Sequence, residues 1–106
     1  MDRLEMIKAV GDIITAVDVL RGSLSQGTTA RKQLDLLRHD LDGRQQALTR
    51  PLIVSNTAKF QRGIAQLKDT NKALKQTIKD VQRIQETLKG LTDLVGALDL
   101  IVGARL

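Results

Sequence analysis

The sequence predicts an all-α protein: a long antiparallel helical hairpin with coiled-coil character that oligomerisation completes. Apolar residues recur at steps of three and four along almost the whole chain, which is the period of one helix face. One proline and eight glycines in 106 residues are too few for the frequent turns of an all-β fold. Phe60 is the only aromatic residue, so the core must be aliphatic, and aliphatic side chains suit helix–helix seams.

The first predicted arm covers residues 2–48 and is broken near residues 22–29. Asp2 and Glu5 have the spacing of a capping box at its start. Two glycines lie among serines and threonines at the break, and each costs about 1 kcal/mol in a helix interior, so the chain either kinks or turns there. The apolar stripe of this arm consists of Leu4, Ile7, Val10, Ile13, Val17, Leu20 and Leu24, then of Ala30, Leu34, Leu37, Leu41, Arg44 and Leu48.

The main turn is predicted near residues 49–56, because Pro51 cannot continue a helix and restricts the residue before it. The second arm, residues 52–103, opens with a strict heptad, the coiled-coil signature. The heptad positions are Phe60, Ile64, Leu67, Asn71, Leu74, Ile78 and Val81. A further step of three leads to Ile84 and predicts a stammer, which locally overwinds the supercoil. The stripe then continues through Leu88, Leu91, Val95, Leu98 and Val102.

Folding one arm onto the other aligns apolar positions whose residue numbers add up to 101, for example Leu41 with Phe60. The same register places Asn71 opposite Ala30. Each arm would be roughly 70 Å long, since a helix rises 1.5 Å per residue. A seam between two such helices leaves much apolar surface uncovered. We therefore expect a single helical domain, residues 1–106, whose hairpins pack together, for example as a dimeric four-helix bundle. A three-helix bundle that turns at the glycines of the first arm remains the alternative.

No recognisable motif of a catalytic or metal site occurs, and the acidic residues are scattered along the chain, so we predict no enzyme activity, no cofactor, no metal and no small-molecule substrate. The chain contains no cysteine, which removes disulfides, thiolate metal sites and cysteine nucleophiles. His39 is the only histidine, and one histidine makes no metal cluster. Neither a phosphate-binding glycine loop nor a nucleophile elbow is present.

The predicted sites are surfaces for other proteins, either further copies of this chain or a helical partner. The interaction seam comprises Leu34, Leu37, Leu41, Phe60, Ile64, Leu67, Asn71, Leu74, Ile78, Val81, Ile84 and Leu88. A second hypothesis concerns the apolar tip where the two ends of the hairpin meet, formed by Leu4, Ile7, Val10, Leu94, Leu98 and Val102. These residues are either the best-packed part of the core, which we favour, or a surface that docks on a partner or a membrane. Within the seam, Asn71 either fixes the register of pairing or is a solvated residue beside the small Ala30.

A net charge of +5 and a pI near 10 raise the question of an anionic partner. Basic residues cluster at Lys59, Arg62, Lys68, Lys72, Lys75 and Lys79, against the single acid Asp69. Nucleic acid is disfavoured, since no aromatic residue is free for base stacking and arginine is scarce in this run. The simplest interpretation of the basic run is a solvated helix face, and binding to a membrane surface is the alternative.

The leading functional prediction is a non-enzymatic assembly or adaptor subunit. The alternative is a leaderless secreted or membrane-active hairpin, such as a secretion-system substrate, a needle-type subunit or a small toxin component. Charged residues at positions 2, 3 and 5 argue against a signal peptide, and the longest apolar run is far shorter than the roughly 20 residues of a membrane span. We expect a cytoplasmic protein, with leaderless export left open.

Overall fold

Four α-helices form this protein in a computed structural model, which describes residues 1–50, 53 and 57–103. The helices are α1 (Arg3–Arg21), α2 (Thr29–Ala47), α3 (Ala58–Lys79) and α4 (Ile84–Val102), and a short 3-10 turn, Val81–Arg83, precedes α4. No strand occurs among these residues, which confirms the all-α class.

Side-chain caps explain where the first three helices begin. The predicted capping box is confirmed: the Asp2 carboxylate accepts a hydrogen bond from the Glu5 amide at 2.8 Å, and the Glu5 carboxylate accepts one from the Asp2 amide. Thr28 and Thr57 cap α2 and α3 in the same way, each hydroxyl accepting from a backbone amide three residues later. These bonds satisfy amide groups that the first turn of a helix otherwise leaves without partners.

The helices pack as two antiparallel hairpins, α1 with α2 and α3 with α4. In the second hairpin the hydroxyls of Thr77 and Thr87 lie 2.6 Å apart across the two helices. The hairpins then meet so that α1 packs on α3 and α2 packs on α4. Residue numbers rise together along both of these pairs, so the helices in each run parallel; Arg44 of α2, for example, bonds to Asp99 of α4 near their C-terminal ends. Around the bundle the order is therefore α1, α2, α4, α3.

One core lies between the four helices, and every helix contributes to it. Buried apolar residues include Met6, Val10, Ile13, Ile14, Val17 and Leu20 of α1; Leu34, Leu41 and Ala47 of α2; Phe60, Ile64, Leu67 and Leu74 of α3; and Leu88, Leu91, Leu94, Leu98 and Val102 of α4. The described chain measures 40 × 24 × 18 Å.

The prediction of two long arms, 2–48 and 52–103, paired with each other is wrong, as is the three-helix alternative. The break near residues 22–29 is a full turn, in which Gly27 adopts a φ of 86°. The proposed stammer between Val81 and Ile84 is also a turn: Asp80 ends α3 with extended backbone angles, and its carboxylate accepts from the Gln82 amide. Glutamine and arginine are good helix formers, so these residues of the turn give no indication of a break. The predicted main turn near 49–56 lies partly outside the described residues.

The predicted register also fails, because it pairs α1 with α4 and α2 with α3, which occupy opposite corners of the bundle. All four apolar stripes face a shared centre, so Leu41 and Phe60 are both buried without being on adjacent helices. Periodicity identifies the buried face of a helix, but it does not identify the neighbour.

Candidate interaction surfaces

The predicted seam lies mostly inside the chain. Its buried members are Leu34, Leu41, Phe60, Ile64, Leu67, Leu74 and Leu88, and its half-buried members are Leu37, Asn71 and Ile84. Ile78 and Val81 are exposed. Residues that were expected to meet another chain thus pack within one molecule, because four short helices close a core that two long helices leave open.

Asn71 does not lie opposite Ala30. It lines a groove between α1 and α3, together with Ala9, Asp12 and Leu67. This position, half-buried at the edge of the core, is open enough for the amide to be solvated. Its contacts are with a parallel helix of the same chain rather than with the antiparallel arm that the register prediction required.

The predicted apolar tip is also largely buried. Val10, Leu94, Leu98 and Val102 belong to the core, and Ile7 is half-buried. Leu4 alone is strongly exposed, with 69% of its surface accessible. The start of the chain is fastened at this end of the bundle, where the Arg3 guanidinium donates to the carbonyls of Thr49 and Arg50 beyond the C-terminus of α2.

An open groove of mixed polar and apolar lining remains on the outside, between α2 and α4. It has a volume of about 400 Å³ and is lined by Gln33, Leu36, Leu37, Gln85, Leu88, Lys89 and Thr92. Leu36 projects from its α2 side with 66% of its surface exposed, while Leu37 and Leu88 form the floor. We call this groove, together with Gly43 and Gly96, the α2–α4 face.

Gly43 and Gly96 continue the two edges of the groove. Gly43 lies seven residues after Leu36, and Gly96 lies seven after Lys89, so each follows its predecessor along the same helix face. A Cβ atom added at either glycine would have no atom within 4 Å apart from its chain neighbours and the nearby backbone of its own helix. The packing of the molecule itself therefore does not require a glycine at these positions, although each lowers helix stability by about 1 kcal/mol relative to alanine.

Arginine–aspartate pairs fasten the joint between α1 and α2. Arg38 Nε lies 2.6 Å from Asp18 Oδ1, and Arg21 Nε lies 2.6 Å from Asp35 Oδ1. The hydrogen bond from Arg38 holds the pKa of Asp18 below its ordinary value, with Arg21 acting in the same direction and partial desolvation opposing both. Charges on this side of the bundle are consequently paired with one another.

In the part of the chain that the structure describes, one ion pair links α2 to α4 beside the groove. Arg44 Nε lies 2.7 Å from Asp99 Oδ1, and this hydrogen bond raises the pKa of Arg44. The guanidinium also lies 3.7 Å from the Asp40 carboxylate one turn earlier. These contacts hold the two edges of the α2–α4 face at a fixed separation.

The basic run predicted from the sequence lies on the outside of α3. Lys59, Arg62, Lys68, Lys72, Lys75 and Lys79 are all exposed, as is Asp69. Within residues 1–50, 53 and 57–103, none of these basic groups makes an ion pair, whereas the arginines of α1 and α2 bond to carboxylates or backbone carbonyls. The free positive charge of the described chain is thus concentrated on one helix.

The polar residues of the core serve its packing. Thr70 donates to the carbonyl of Gly90, where α3 and α4 approach closely, and Thr77 pairs with Thr87. His39 is exposed, and the described residues contain no group of three acidic or histidine side chains that could hold a metal ion.

Comparison with protein families, with curated proteins and with solved structures finds no match. Among the described helices, none has the length and apolar character that crossing a membrane requires.

Proposed function

We propose that this protein is a non-enzymatic assembly subunit that associates with further copies of itself through the α2–α4 face. The observation that carries the proposal is Leu36, a large aliphatic side chain exposed beside the groove floored by Leu37 and Leu88. Fully burying such a side chain is worth about 1.5–3 kcal/mol. Two copies that cover each other's Leu36 gain this twice, which supports a specific association.

The glycines support the close approach of another helix. Gly43 and Gly96 have open space where a Cβ would be, so a second backbone can approach closely there. Glycines in helix interiors weaken the isolated molecule by about 1 kcal/mol each. A gain from contact with a partner would offset this cost, and these two positions flank the groove that carries Leu36.

Charge symmetry along α2 favours a second copy as the partner. Lys32 lies four residues before Leu36, and Asp40 lies four residues after it. If two α2 helices pack antiparallel with their Leu36 side chains in contact, Lys32 of each copy faces Asp40 of the other. A twofold axis repeats this attraction, as expected of an interface that uses the same patch on both subunits.

A matched pair of variants tests the surface. Leu36→Glu places a charge in the contact, while Leu4→Glu places the same charge at a similarly exposed leucine outside the α2–α4 face. Both positions are exposed, so both variants should keep the helical content of the parent by circular dichroism. Light scattering over a series of concentrations should give a dimer or larger for the parent and for Leu4→Glu, and a monomer for Leu36→Glu. A parent that stays monomeric at the highest concentration contradicts the proposal.

Charge reversal tests the antiparallel arrangement separately. Lys32→Glu alone and Asp40→Lys alone each bring like charges together twice in the pair, so each should weaken dimerisation by roughly tenfold or more. A mixture of the two variants should associate again, because one copy of each places opposite charges together at both contacts. If Leu36→Glu abolishes the dimer but charge reversal changes nothing, self-association stands and the antiparallel contact of α2 is wrong.

A further inference from the structure

The whole excess charge of the molecule resides on α3. This helix carries six basic residues and one acidic residue, a net charge of +5, which equals the formal net charge of the chain. The remaining eleven basic and eleven acidic residues cancel. The basic pI of this protein therefore reflects the charge of one helix, and an interaction with an anionic partner is expected at the surface of that helix.

Four of these residues form a straight row. Lys68, Lys72, Lys75 and Lys79 follow one another at steps of four, three and four, so they share one face of α3, and all are exposed. The row spans about 16 Å at a rise of 1.5 Å per residue. Lys68 and Lys75 border the groove between α1 and α3, which places the row toward α1.

Exposed apolar side chains lie at the end of the bundle where this row finishes. Helices α1 and α3 run parallel, since Met6 packs near Gly63 while Ala9 lies near Lys68. Their C-terminal turns therefore lie together, and these turns carry Val19 and Ile78. Val19, Ile78 and Val81, the last of which begins the following 3-10 turn, are exposed by 57%, 41% and 40%. We call these three residues and the lysine row the basic end.

We propose that the basic end docks on the surface of an anionic lipid bilayer. Ammonium groups in a row are attracted to lipid phosphates and carboxylates, by about 1 kcal/mol for each lysine near the surface. Val19, Ile78 and Val81 enter the boundary between headgroups and acyl chains, where small apolar side chains gain burial without needing a shaped pocket. The combination of cations with adjacent exposed aliphatic residues fits a bilayer surface.

Nucleic acid, the other common polyanion, fits this surface less well. Phe60 is fully buried, so no aromatic ring is available for stacking on bases. Arg62 is the only arginine of α3, and lysines offer point charges rather than the planar fork that reads base edges. Exposed valine and isoleucine side chains would gain nothing from a phosphate backbone.

The basic end is separate from the surface proposed for self-association. The α2–α4 face lies on one side of the bundle, and the row on α3 faces α1 on the other side. Lipid binding can therefore be measured in the Leu36→Glu background, in which the assembly contact has been removed. Failure of one proposal then does not carry over to the other.

The experiment is co-sedimentation with vesicles of phosphatidylcholine alone and with vesicles that also contain phosphatidylserine, at low and at high salt. We expect binding to the anionic vesicles only, weakened by salt because the attraction is electrostatic. Lys72→Glu/Lys75→Glu should lower the affinity by roughly thirtyfold or more. The matched control is Lys32→Glu/Lys89→Glu, which has the same net charge but reverses lysines on the opposite side, and it should bind almost as well as its parent.

Two further variants separate lipid from other anions. Ile78→Ser should weaken vesicle binding several-fold, while Leu4→Ser, an exposed leucine at the other end of α1, should leave it unchanged. The proposal is overturned by absent vesicle binding, by equal losses in the two double-lysine variants, or by an unchanged affinity of Ile78→Ser. It is also overturned if single-stranded DNA binds as tightly as the anionic vesicles and competes with them fully.

Discussion

At the scale of single residues, two glycines of this protein should respond to substitution in opposite ways. Gly43 lies inside α2 with open space around its absent side chain, so Gly43→Ala should raise the free energy of unfolding by about 1 kcal/mol. Gly27 has a φ of 86°, which alanine adopts at a cost of about 1 kcal/mol, so Gly27→Ala should lower it. Urea unfolding in the Leu36→Glu background measures both changes without a contribution from association.

A destabilised Gly43→Ala variant would contradict this account of the α2–α4 face, because it would mean that the glycine is needed within the monomer. If self-association is as proposed, the same substitution in the parent should weaken the dimer even though it strengthens the helix. The free energy of unfolding then rises while the affinity of the dimer falls, and a change in helix propensity alone cannot produce both effects.

Residue-level prediction from the sequence succeeded for the burial of most stripe residues, failed at Leu4, Ile78 and Val81, and failed for partners. Leu34, Leu67 and Leu88 are buried as their period indicates, because the side of a helix that carries most apolar residues faces the core wherever the neighbours are. Asn71 and Ala30 were matched across a register that depends on which helices are adjacent. That information is not contained in a one-dimensional pattern.

At the scale of helices, the joint between α1 and α2 should depend on pH. The pKa of Asp18 lies below its ordinary value of 3.8, chiefly because of the Arg38 hydrogen bond. A carboxylate whose pKa is lowered by folding stabilises the protein above the pKa of the unfolded chain and loses this contribution as pH falls through the folded value. Asp18→Asn should therefore lower the free energy of unfolding modestly at neutral pH, since solvent screens an exposed pair.

The stability difference between the parent and Asp18→Asn should shrink below about pH 4 and vanish once Asp18 is protonated. Thermal unfolding of both proteins across this range measures it. Asp93→Asn, at an exposed position for which the described residues offer no ion pair, is the control and should show a smaller difference throughout. A difference for Asp18→Asn that is constant with pH would mean that the ion pair contributes nothing to the joint.

Helix boundaries were predictable where a capping residue or glycine marks them. The Asp2 capping box and the break around Gly27 are both present in the sequence and in the fold. The turn at Asp80 was missed because Val81 and Ile84 preserve a plausible apolar step across it. Aspartate capping a short 3-10 turn is the one available signal, and it is weak, since aspartate is also common on exposed helix faces.

At the scale of the whole molecule, closure into four short helices changes the expected shape in solution. The Cα radius of gyration of the described chain is 13.4 Å. A two-helix hairpin about 70 Å long would have a radius of gyration of about 20 Å. Small-angle X-ray scattering of the Leu36→Glu variant should therefore give a value slightly above the compact one, because of hydration. A value that matches the longer shape would restore the extended hairpin.

The compact fold also changes the physical reason for which this protein is expected to associate. The sequence suggested that one chain cannot bury its apolar stripes, yet most of those stripes lie in a single core. The apolar surface that remains outside includes Leu36, which lies off the stripes, and the groove beside it. This groove is formed by residues of both α2 and α4, so it could not be located before the order of the helices was known.

The positions of α2 and α3 at opposite corners determine how a joined pair would present itself. A pair held together along α2 turns its two α3 helices outward, in opposite directions. Each such dimer would then have two membrane-binding surfaces on opposite sides, so it could bind two vesicles at once and aggregate them. A monomer, such as the Leu36→Glu variant, would bind single vesicles without cross-linking them, so the suspension would stay clear.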